Sequence, residues 1–451
     1  MTLEELLAEV TEPRSKQAKE TQQPQPWGWV ERSVWTEPML KRLTESQEGT
    51  VWFSLWDKLL KQNNLIQGAY EVIGNKGSAG VDHQTTEQLA RTVQENIQRL
   101  QNELQGGHYK PLPAKRKWIE KPGSTELRPL GIPAVRDRVV QAALKHVIEP
   151  ILEKDFARHS YGFRPRRSAQ QALARVEELL QEGRIWIVDA DLKSYFDTIP
   201  HERLMKKLQR RLADGRILKL IGSYLEAGIL EKGKGWQATE EGTPQGSVIS
   251  PLLANLYLND LDHQMEKAGR QMVRYADDFV ILCSTEEEAR VALEEVREWV
   301  EKEGLSLHPT KTKIATMKEG FDFLGFHFQH GRDGRVKKWP RKKSVMKLRD
   351  RVREHTRKRN NKSMATIIQK LNPILKGWHG YFRSSTHQAL DQVDGWIRRR
   401  LRSVWRFQQK RKGISKGREN PELRNQWFQE RGLFSLAGYP TPETSIPPGN
   451  Y

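Results

Sequence analysis

The chain has 451 residues, which is enough for two or three domains with a sizeable core. Its 76 Lys and Arg against 57 Asp and Glu give a formal net charge of +19 at pH 7, and an excess of this size indicates a polyanionic partner. The positive charge is concentrated in residues 331–420, which contain 28 Lys and Arg against 6 Asp and Glu, a difference of +22. Cys283 is the single cysteine, which excludes a disulfide framework and any zinc module built on cysteine pairs and fits a reducing compartment.

Neither a membrane span nor a targeting segment is predicted. No uninterrupted apolar stretch approaches the ~18 residues that a spanning helix requires. The N-terminus, MTLEELLAEV, is acidic and lacks the basic-then-apolar order of a signal peptide. The same acidity argues against a mitochondrial transit sequence. Because no membrane span is predicted, we expect no membrane partner.

The chain divides into five parts by composition and periodicity. Residues 1–48 carry Gln, Pro and Trp without a sustained period and predict a partly disordered extension. Helical spacing follows over residues 49–110, and helices alternate with short strands over residues 111–330. Residues 331–412 are predicted to be helical and basic, and residues 413–451 form a tail with Trp, basic residues and weak signals. This order of elements indicates the α+β fold class.

Three elements of the middle part are predicted with clear bounds. RIWIVDADL, Arg184–Leu192, is typical of a buried strand. Residues 287–304 predict a long amphipathic helix that ends at a glycine. DFLGFHFQH, residues 322–330, predicts one further strand.

Two adjacent aspartates, Asp277 and Asp278, interrupt an apolar run in RYADDFVILC. The flanks predict two short strands, so the aspartates are expected at a tight hairpin turn. Two carboxylates about 4 Å apart repel by roughly 4 kcal/mol at an effective dielectric near 20, so one is protonated or a cation joins them. The alternative is a solvated turn of the Asx type.

A third carboxylate is offered by VDADLKSYFDTIPH, where Asp189 and Asp191 lie on one face of the predicted strand. An aspartate at a strand end is also common as a helix cap or an ion-pair partner. If the strand and the hairpin are neighbours, their carboxylates converge. Three such groups can hold two divalent cations that align an attacking hydroxyl with a leaving phosphate, and oxygen ligands suit Mg²⁺.

A series of ordered blocks runs from about residue 64 to about residue 402. The blocks are, in order, KPGSTELRPLGIPAVRDRVVQAAL, SYGFRPRRSAQQAL, VDADLKSYFDTI, EEGTPQGSVISPLLANLYLNDLD, RYADDFVIL, LSLHPTKTKI, FDFLGFHF and LNPILKGWHGYFR. A YxDD box alone is a weak signal, whereas these blocks together are specific. In this order they resemble the bacterial group II intron-encoded reverse transcriptases/maturases.

The resemblance implies a right-hand polymerase with fingers and palm, whose fingers begin with a helical RNA-binding part, followed by a basic helical thumb/maturase domain. It implies that Asp191, Asp277 and Asp278 are catalytic and bind two Mg²⁺ ions, with Mn²⁺ as a possible substitute and the Leu192 carbonyl nearby. Asp197 falls outside the ligand position and is expected to begin the following helix.

The resemblance also implies contacts to the deoxynucleoside triphosphate. Lys121 and Arg128 would clamp the triphosphate, unless they belong to an ordinary solvated loop. TPQGS would let a base or sugar approach closely through its backbone, unless it is a simple turn. Lys311 would neutralise or protonate the leaving pyrophosphate, with Lys313 as a rival. The full set is Lys121, Arg128, Leu192, Phe196, Gln245, Gly246 and Lys311.

Phe196 lies five residues after Asp191, where the family has an aromatic residue that faces the sugar. A bulky ring at this position would collide with a 2′-hydroxyl and so select deoxynucleotides. Plain core packing is the alternative.

The basic end is expected to bind RNA phosphates with steep salt dependence and little base specificity. In DGWIRRRLRSVWRFQQKRK, an apolar stripe of Trp396, Ile397, Leu401, Val404 and Trp405 is interpreted as core, and the arginines take other faces. The RNA-binding candidates are Arg351, Arg353, Lys376, Arg398, Arg399 and Arg402.

The sequence therefore predicts an RNA-directed DNA polymerase that also binds its intron RNA to assist splicing and mobility. Its partners would be intron RNA, an RNA template, a DNA primer or target and deoxynucleotides, in a bacterial cytoplasm. The C-terminal sequence lacks the histidines and cysteine pairs of the family's endonuclease, so we expect no DNA cleavage by this chain. The alternatives are a splicing cofactor without enzymatic activity and a domesticated reverse transcriptase of a defence system.

Overall fold

The computed structural model of the protein describes residues 27–120, 127–357, 362–409 and 425–438. The helices of these ranges are α1 (Glu37–Glu45), α2 (Trp56–Leu59), α3 (Gln62–Gly74), α4 (Thr86–Arg91), α5 (Val93–Gln105), α6 (Val135–Glu153), α7 (Ala169–Gln181), α8 (His201–Gln209), α9 (Gly215–Glu226), α10 (Ser250–Lys267), α11 (Glu286–Lys302), α12 (Lys342–His355), α13 (Met364–Phe382), α14 (His387–Gln408) and α15 (Asn425–Glu430). The strands are β1 (Ala114–Glu120), β2 (Leu127–Ile132), β3 (Trp186–Asp191), β4 (Ile229–Glu231), β5 (Gly235–Gln237), β6 (Gln271–Tyr275), β7 (Asp278–Cys283), β8 (Lys313–Thr316), β9 (Phe321–Phe323), β10 (Phe326–His330) and β11 (Val336–Pro340). This mixture of helices and sheets confirms the predicted α+β class.

The chain forms two compact units. The first comprises Met1–Val176 and Val188–Ile314, and the second comprises Glu177–Ile187 and Ala315–Tyr451. The five-part division expected from the sequence stays a prediction. Within the ranges that the structure describes, no helix has the length and apolarity needed to cross a membrane.

The first unit begins with a folded segment inside the region where an extension was expected. Trp35 is fully buried and packs edge-on against Trp52 at 5.7 Å between ring centroids. Its indole nitrogen donates to the His146 carbonyl of α6 at 3.0 Å. Residues 1–26 of the expected extension lie outside the described residues.

Helix α6 is the centre of this unit and is buried along most of its length. Helix α3 packs against it closely because Gly68 has no side chain. A Cβ at Gly68 would lie 2.8 Å from the Val139 carbonyl oxygen, a distance that real Cβ atoms do not adopt. A four-stranded sheet with the order β2-β1-β4-β5 follows, in which β1 and β2 form an antiparallel hairpin.

A second four-stranded sheet has the order β6-β7-β3-β8. Strand β3 confirms the strand predicted for residues 184–192, and β6 and β7 confirm the predicted hairpin. Helix α11 matches the predicted helix at 287–304, and Gly304, with a φ of 76°, follows its end. Because β3 and β7 are neighbours, Asp191 and the paired aspartates reach the same region.

The prediction of one strand over residues 322–330 is wrong. The segment forms two antiparallel strands, β9 and β10, with Phe326 paired to Phe323. Leu324 and Gly325 between them both have positive φ, 46° and 84°, as a tight type I′ turn requires. The apolar residues on both sides concealed this turn. Strand β11 extends the sheet in the order β11-β10-β9.

The helical part of the second unit confirms the interpretation of the apolar stripe in α14 as core. Ile397, Leu401 and Val404 are buried, and the two tryptophans of the stripe pack against the same cluster. Phe428 and Leu436 belong to this cluster too. Residues 425–438, whose sequence signals were weak, therefore complete the hydrophobic core of this unit.

Buried Asp394 fixes the last described segment onto α14. Its carboxylate accepts hydrogen bonds from the Ser435 hydroxyl at 2.7 Å and from the backbone N–H groups of Leu436 and Ala437 at 3.0–3.1 Å. The Arg398 guanidinium lies 3.8 Å from the same carboxylate. One acidic side chain thus satisfies polar groups from two separate segments.

We expect Asp394→Ala to destabilise the protein by about 1–3 kcal/mol, because it leaves buried donors without an acceptor. Amide hydrogen exchange at Leu436 and Ala437 should accelerate by about tenfold or more, which corresponds to ~1.4 kcal/mol of lost local stability. Asp350→Ala is the matched control, since that side chain is exposed. Unchanged protection at these two amides in Asp394→Ala would contradict the assigned role.

Candidate active site

The hairpin between β6 and β7 presents Asp277 at its tip. Tyr275 pairs with Asp278, so the loop consists of Ala276 and Asp277 alone. Ala276 has a φ of 61° at the first loop position, as in type II′ turns that usually have glycine there. A non-glycine residue in this conformation costs about 1–2 kcal/mol, so the surrounding contacts must hold it.

The buried Arg274 side chain supplies the main support of this loop. Its guanidinium donates to the Ala276 carbonyl at 2.8 Å and to the Asn255 side chain at 3.0 Å. It also forms an ion pair with buried Asp262, in which Nε lies 2.8 Å from a carboxylate oxygen. Asn255 and Asp262 both belong to α10, so one helix holds the hairpin through one arginine.

The segment around Gly162 closes against the other side of the hairpin. The Tyr161 N–H donates to the Arg274 carbonyl at 2.9 Å, and the Asn255 amide donates to the Gly162 carbonyl at 2.7 Å. A Cβ at Gly162 would overlap the backbone of Ala276. Glycine is therefore required here because two backbones touch.

Asp191 lies at the end of β3, and its partner comes from far along the chain. Its carboxylate accepts from the Lys311 ammonium at 2.6 Å, across a separation of 120 residues. The loop that carries Lys311 is aligned by the backbone, because the His308 N–H donates to the Asp191 carbonyl at 2.7 Å. Lys311, which the sequence predicted to contact a leaving pyrophosphate, is here the counter-charge of Asp191.

Asp277 and Asp191 interact electrostatically. Burial raises the pKa of Asp277 above its usual range, and the negative charge of Asp191 raises it further. The Arg128 and Arg274 guanidiniums oppose this rise in the pKa. The neighbouring positions of β3 and β7 and this interaction agree with the expected convergence of the strand end and the hairpin tip, whose role in metal binding stays a prediction.

The structure brings two of the three predicted metal-binding carboxylates, Asp191 and Asp277, into electrostatic range, and the three-carboxylate site stays a prediction. Among the described residues, no group of three acidic, histidine or cysteine side chains is assembled as a metal site. Asp278 belongs to strand β7 rather than to the loop. Leu192 is buried and forms a backbone bridge with Leu307. Its side chain has no atom that can bind a metal, so only its carbonyl oxygen is a candidate ligand. The donor set around Asp191 and Asp277 is oxygen, which suits Mg²⁺.

Phe196 is half-buried rather than part of the core. It follows a turn at Ser194, whose φ is 50°, and lies in a short 3-10 helix, Tyr195–Asp197. Its ring contacts the rings of Tyr195 and the exposed Phe163 edge-on, at 5.6 and 6.4 Å. Two neighbours therefore fix the ring while part of its surface stays accessible.

The TPQGS segment lies along the edge of β2. The Gly131 N–H donates to the Gln245 carbonyl at 2.8 Å, and Gly246 is exposed with a φ of 113°. A Cβ at Gly246 would lie 2.7 Å from the Gly131 carbonyl oxygen. Arg128 is exposed on β2 and acts on Asp277 as described above. Lys121, the other predicted triphosphate contact, lies outside the described residues.

The predicted RNA-binding residues of the second unit differ in accessibility. Arg351, Lys376 and Arg399 are exposed. Arg353 is exposed too, although it pairs with Asp350 at 2.5 Å and lies over the Trp396 ring.

The prediction that Arg398 is free for phosphates is wrong. Its side chain is buried, and its guanidinium lies 3.3 Å from Asp391 and 3.8 Å from Asp394. Arg402 is half-buried, donates to the Asn425 side chain at 2.9 Å and lies over the Phe428 ring. Arg398 is thus engaged by two carboxylates of its own helix, and Arg402 joins α14 to the C-terminal segment.

Several residues of the site were not identified from the sequence. They are Arg274, Asp262, Asn255, Gly162 and Phe163. An arginine at the end of an apolar strand, three residues before the first aspartate of the pair, was the available signal for Arg274, since a fully buried cation needs partners. The other four residues come from segments far apart in the chain, and only their contacts in the structure show that they support the hairpin or the Phe196 ring.

Comparison with known families agrees with this arrangement. Residues 119–328 match the model of the reverse transcriptase (RNA-dependent DNA polymerase) family. Residues 345–421 match that of the group II intron maturase-specific domain. Together these two matches include parts of both compact units of the chain.

Individual proteins are similar as well. The chain is 38% identical over 303 residues to protein YkfC of Escherichia coli, which covers 58% of this chain and 79% of that protein. It is 36% identical over 234 residues to the group II intron-encoded protein LtrA of Lactococcus lactis, covering 50% of this chain and 38% of LtrA. It is 27% identical over 389 residues to the putative COX1/OXI3 intron 2 protein of Saccharomyces cerevisiae, covering 72% of this chain and 44% of that protein. The chain thus spans less than half the length of the last two relatives.

We expect Arg274→Met to lower the free energy of unfolding by about 3–5 kcal/mol, because it leaves the Asp262 carboxylate buried without a partner. The loop carbonyl of Ala276 loses its donor in the same variant. Urea unfolding of purified protein measures the change. Arg290→Met, whose side chain is 65% exposed, is the control and should change stability by less than about 0.5 kcal/mol. Equal losses in both variants would show that Arg274 does not hold the hairpin.

Proposed function

The chain belongs to the group II intron-encoded reverse transcriptases and maturases, and from that premise we propose that it is a divalent-cation-dependent RNA-directed DNA polymerase that also binds its intron RNA to assist splicing. The observation that carries the polymerase proposal is the placement of Asp191 at the end of β3 and of Asp277 in the loop before the neighbouring strand β7, within electrostatic range of each other. Two neighbouring carboxylates at a half-buried site repel each other unless a positive charge compensates them. A reverse transcriptase would use such carboxylates to bind a divalent cation.

The residues present fit Mg²⁺. Asp191 and Asp277 would hold it through carboxylate oxygens, with Asp278 and the Leu192 carbonyl as the further candidates. When bound, the cation supplies positive charge at the phosphate that is transferred. Lys311 already balances the charge of Asp191, and Arg128 and Arg274 act on Asp277, so the protein itself offsets part of the repulsion.

Binding of the deoxynucleoside triphosphate is assigned to residues from three separate segments of the first unit. Arg128 on β2 is exposed and positively charged, as a contact to the triphosphate requires. Gly246 lies at an exposed turn beside Gln245, where its backbone would be accessible to a base or sugar. Glycine is required there because a Cβ would overlap the Gly131 carbonyl oxygen. The accessible part of the Phe196 ring would exclude a 2′-hydroxyl by size. Lys121 stays a prediction from the sequence.

The maturase role rests on the second unit. Its excess of Lys and Arg and its exposed Arg351, Lys376 and Arg399 favour a phosphate-rich partner. Folded RNA is recognised largely by shape and backbone, so a rigid helical surface with spread positive charge suits it. We propose in addition that the partners are the parental intron RNA and a DNA end that serves as primer, and that the protein acts in a bacterial cytoplasm.

Primer extension on an RNA template tests the catalytic assignment. We expect Asp277→Asn to reduce DNA synthesis by about a hundredfold or more, which corresponds to ~3 kcal/mol of transition-state stabilisation. Binding of the intron RNA should stay within about twofold, because the basic surface is unchanged. Asp57→Asn, at an 81% exposed side chain, is the matched control. Full synthesis by Asp277→Asn would overturn the assignment of Asp277 as catalytic. A wild type that binds RNA and never extends a primer would favour a splicing cofactor without enzymatic activity.

Sugar selection tests Phe196. We expect Phe196→Ala to increase ribonucleotide incorporation relative to deoxynucleotide incorporation by about tenfold or more, because the steric exclusion is removed. The ratio of kcat/KM values for matched ribo- and deoxynucleotides measures it. Phe53→Ala, at a 64% exposed aromatic of the N-terminal part, is the control. An unchanged ratio in Phe196→Ala would assign the ring to packing.

A further inference from the structure

Asp197 has a partner that its sequence context did not predict. It was expected to begin the following helix, yet α8 starts after Pro200 and has no side-chain cap. The Asp197 carboxylate instead accepts a hydrogen bond from the side-chain amide of Gln245 at 3.3 Å. The two residues are 48 positions apart in the sequence.

The backbones on both sides of this hydrogen bond are fixed to each other. The Thr243 N–H donates to the Phe196 carbonyl at 2.6 Å, and the Gly242 N–H donates to the Ile199 carbonyl at 2.8 Å. A Cβ at Gly242 would lie 2.7–2.8 Å from backbone atoms of Asp197. The segment that carries Gln245 is therefore fixed directly onto the turn that carries Phe196 and Asp197.

The hydrogen bond determines which way the Gln245 amide faces. An ionised carboxylate can only accept, so the NH₂ group must point toward Asp197 and the amide oxygen away from it. Burial raises the pKa of Asp197 above its usual range, and the guanidiniums of Arg116 and Arg128 oppose this rise in the pKa. Arg128 is also the residue assigned to the triphosphate, so Asp197 interacts with two groups of the nucleotide site, Arg128 and Gln245.

Asp197 is not a core residue. It is half-buried and lines a cavity of about 400 Å³ together with Arg116, Trp118 and Thr243. Removing its carboxylate therefore does not create a new void inside a packed core. An effect of an Asp197 substitution on nucleotide binding can therefore be distinguished from a general loss of stability.

We infer that Asp197 is a positioning residue of the nucleotide site, which holds the Gln245 amide in one orientation beside Phe196 for contact with the incoming deoxynucleoside triphosphate. The inference rests on the proposed polymerase function and adds to it a residue that lies outside the carboxylates assigned to the metal. Asp197 acts through Gln245 and not by touching the substrate.

The test measures binding of the complementary deoxynucleoside triphosphate, with Mg²⁺, to the full-length protein on an RNA template whose DNA primer ends in a dideoxynucleotide. Because no bond can form on this primer, the Kd does not depend on catalysis. We expect Asp197→Ala to raise the Kd about tenfold, and Asp197→Asn, whose side-chain carbonyl can still accept from Gln245, to stay within about threefold of the wild type. Steady-state primer extension should show the same change in KM with little change in kcat.

A double-mutant cycle identifies the route of the effect. In a Gln245→Ala background, Asp197→Ala should weaken nucleotide binding no further, since the group that it positions is already gone. Glu202→Gln, an exposed carboxylate in the next helix, is the control and should match the wild type. Thermal unfolding of each variant reports whether the fold is intact.

Three results would overturn the inference. They are an unchanged Kd in Asp197→Ala, an equal loss in Asp197→Ala and Asp197→Asn, and additive effects in the double mutant. A wild type that binds the nucleotide on the blocked primer but fails to extend an open one would overturn the proposed catalysis alone. A wild type that does not bind the nucleotide would overturn both.

Discussion

Electrostatic repulsion between Asp191 and Asp277 is the constraint around which the first unit is arranged. A raised pKa at Asp277, caused first by burial and then by Asp191, shows that these charges are incompletely compensated. Among the described residues, the positive groups that act on them come from different elements: Arg128 from β2, Arg274 from β6 and Lys311 from the loop before β8. The pKa of Asp277 stays raised despite the two arginines, which agrees with the proposal that a divalent cation binds there.

Holding a charged loop tip in place requires a rigid base, and the hairpin has one. The Arg274–Asp262 pair is buried, and an isolated buried ion would be strongly unfavourable. Its guanidinium also donates to the loop carbonyl of Ala276 and to Asn255, so its donors serve the loop and α10 together. Close packing of Gly162 against the loop backbone leaves little freedom for movement of Asp277.

The second unit uses its arginines in two ways. Arg398 and Arg402 are engaged inside the unit by Asp391, Asp394, Asn425 and the Phe428 ring. Arg351, Lys376 and Arg399 remain exposed for a partner. The net charge of the region therefore overstates the charge that RNA can contact. An affinity measured as a function of salt would report only the exposed set.

What the sequence determined by itself was local. Alternating and continuous apolar runs specified β3, the β6–β7 hairpin and the core stripe of α14, because burial of apolar residues has a period that neighbouring residues reveal. The ordered blocks identified the family, and through it the aspartates that are proposed as catalytic. What only the tertiary structure decided was which distant groups meet. The Lys311–Asp191 pair and the Asp197–Gln245 hydrogen bond join residues whose sequence neighbours carry no sign of the contact. The burial of Arg398 was likewise decided by packing. A charged side chain on a short polar stretch has the same local pattern whether it faces solvent or a partner, and the packing of other elements settles which.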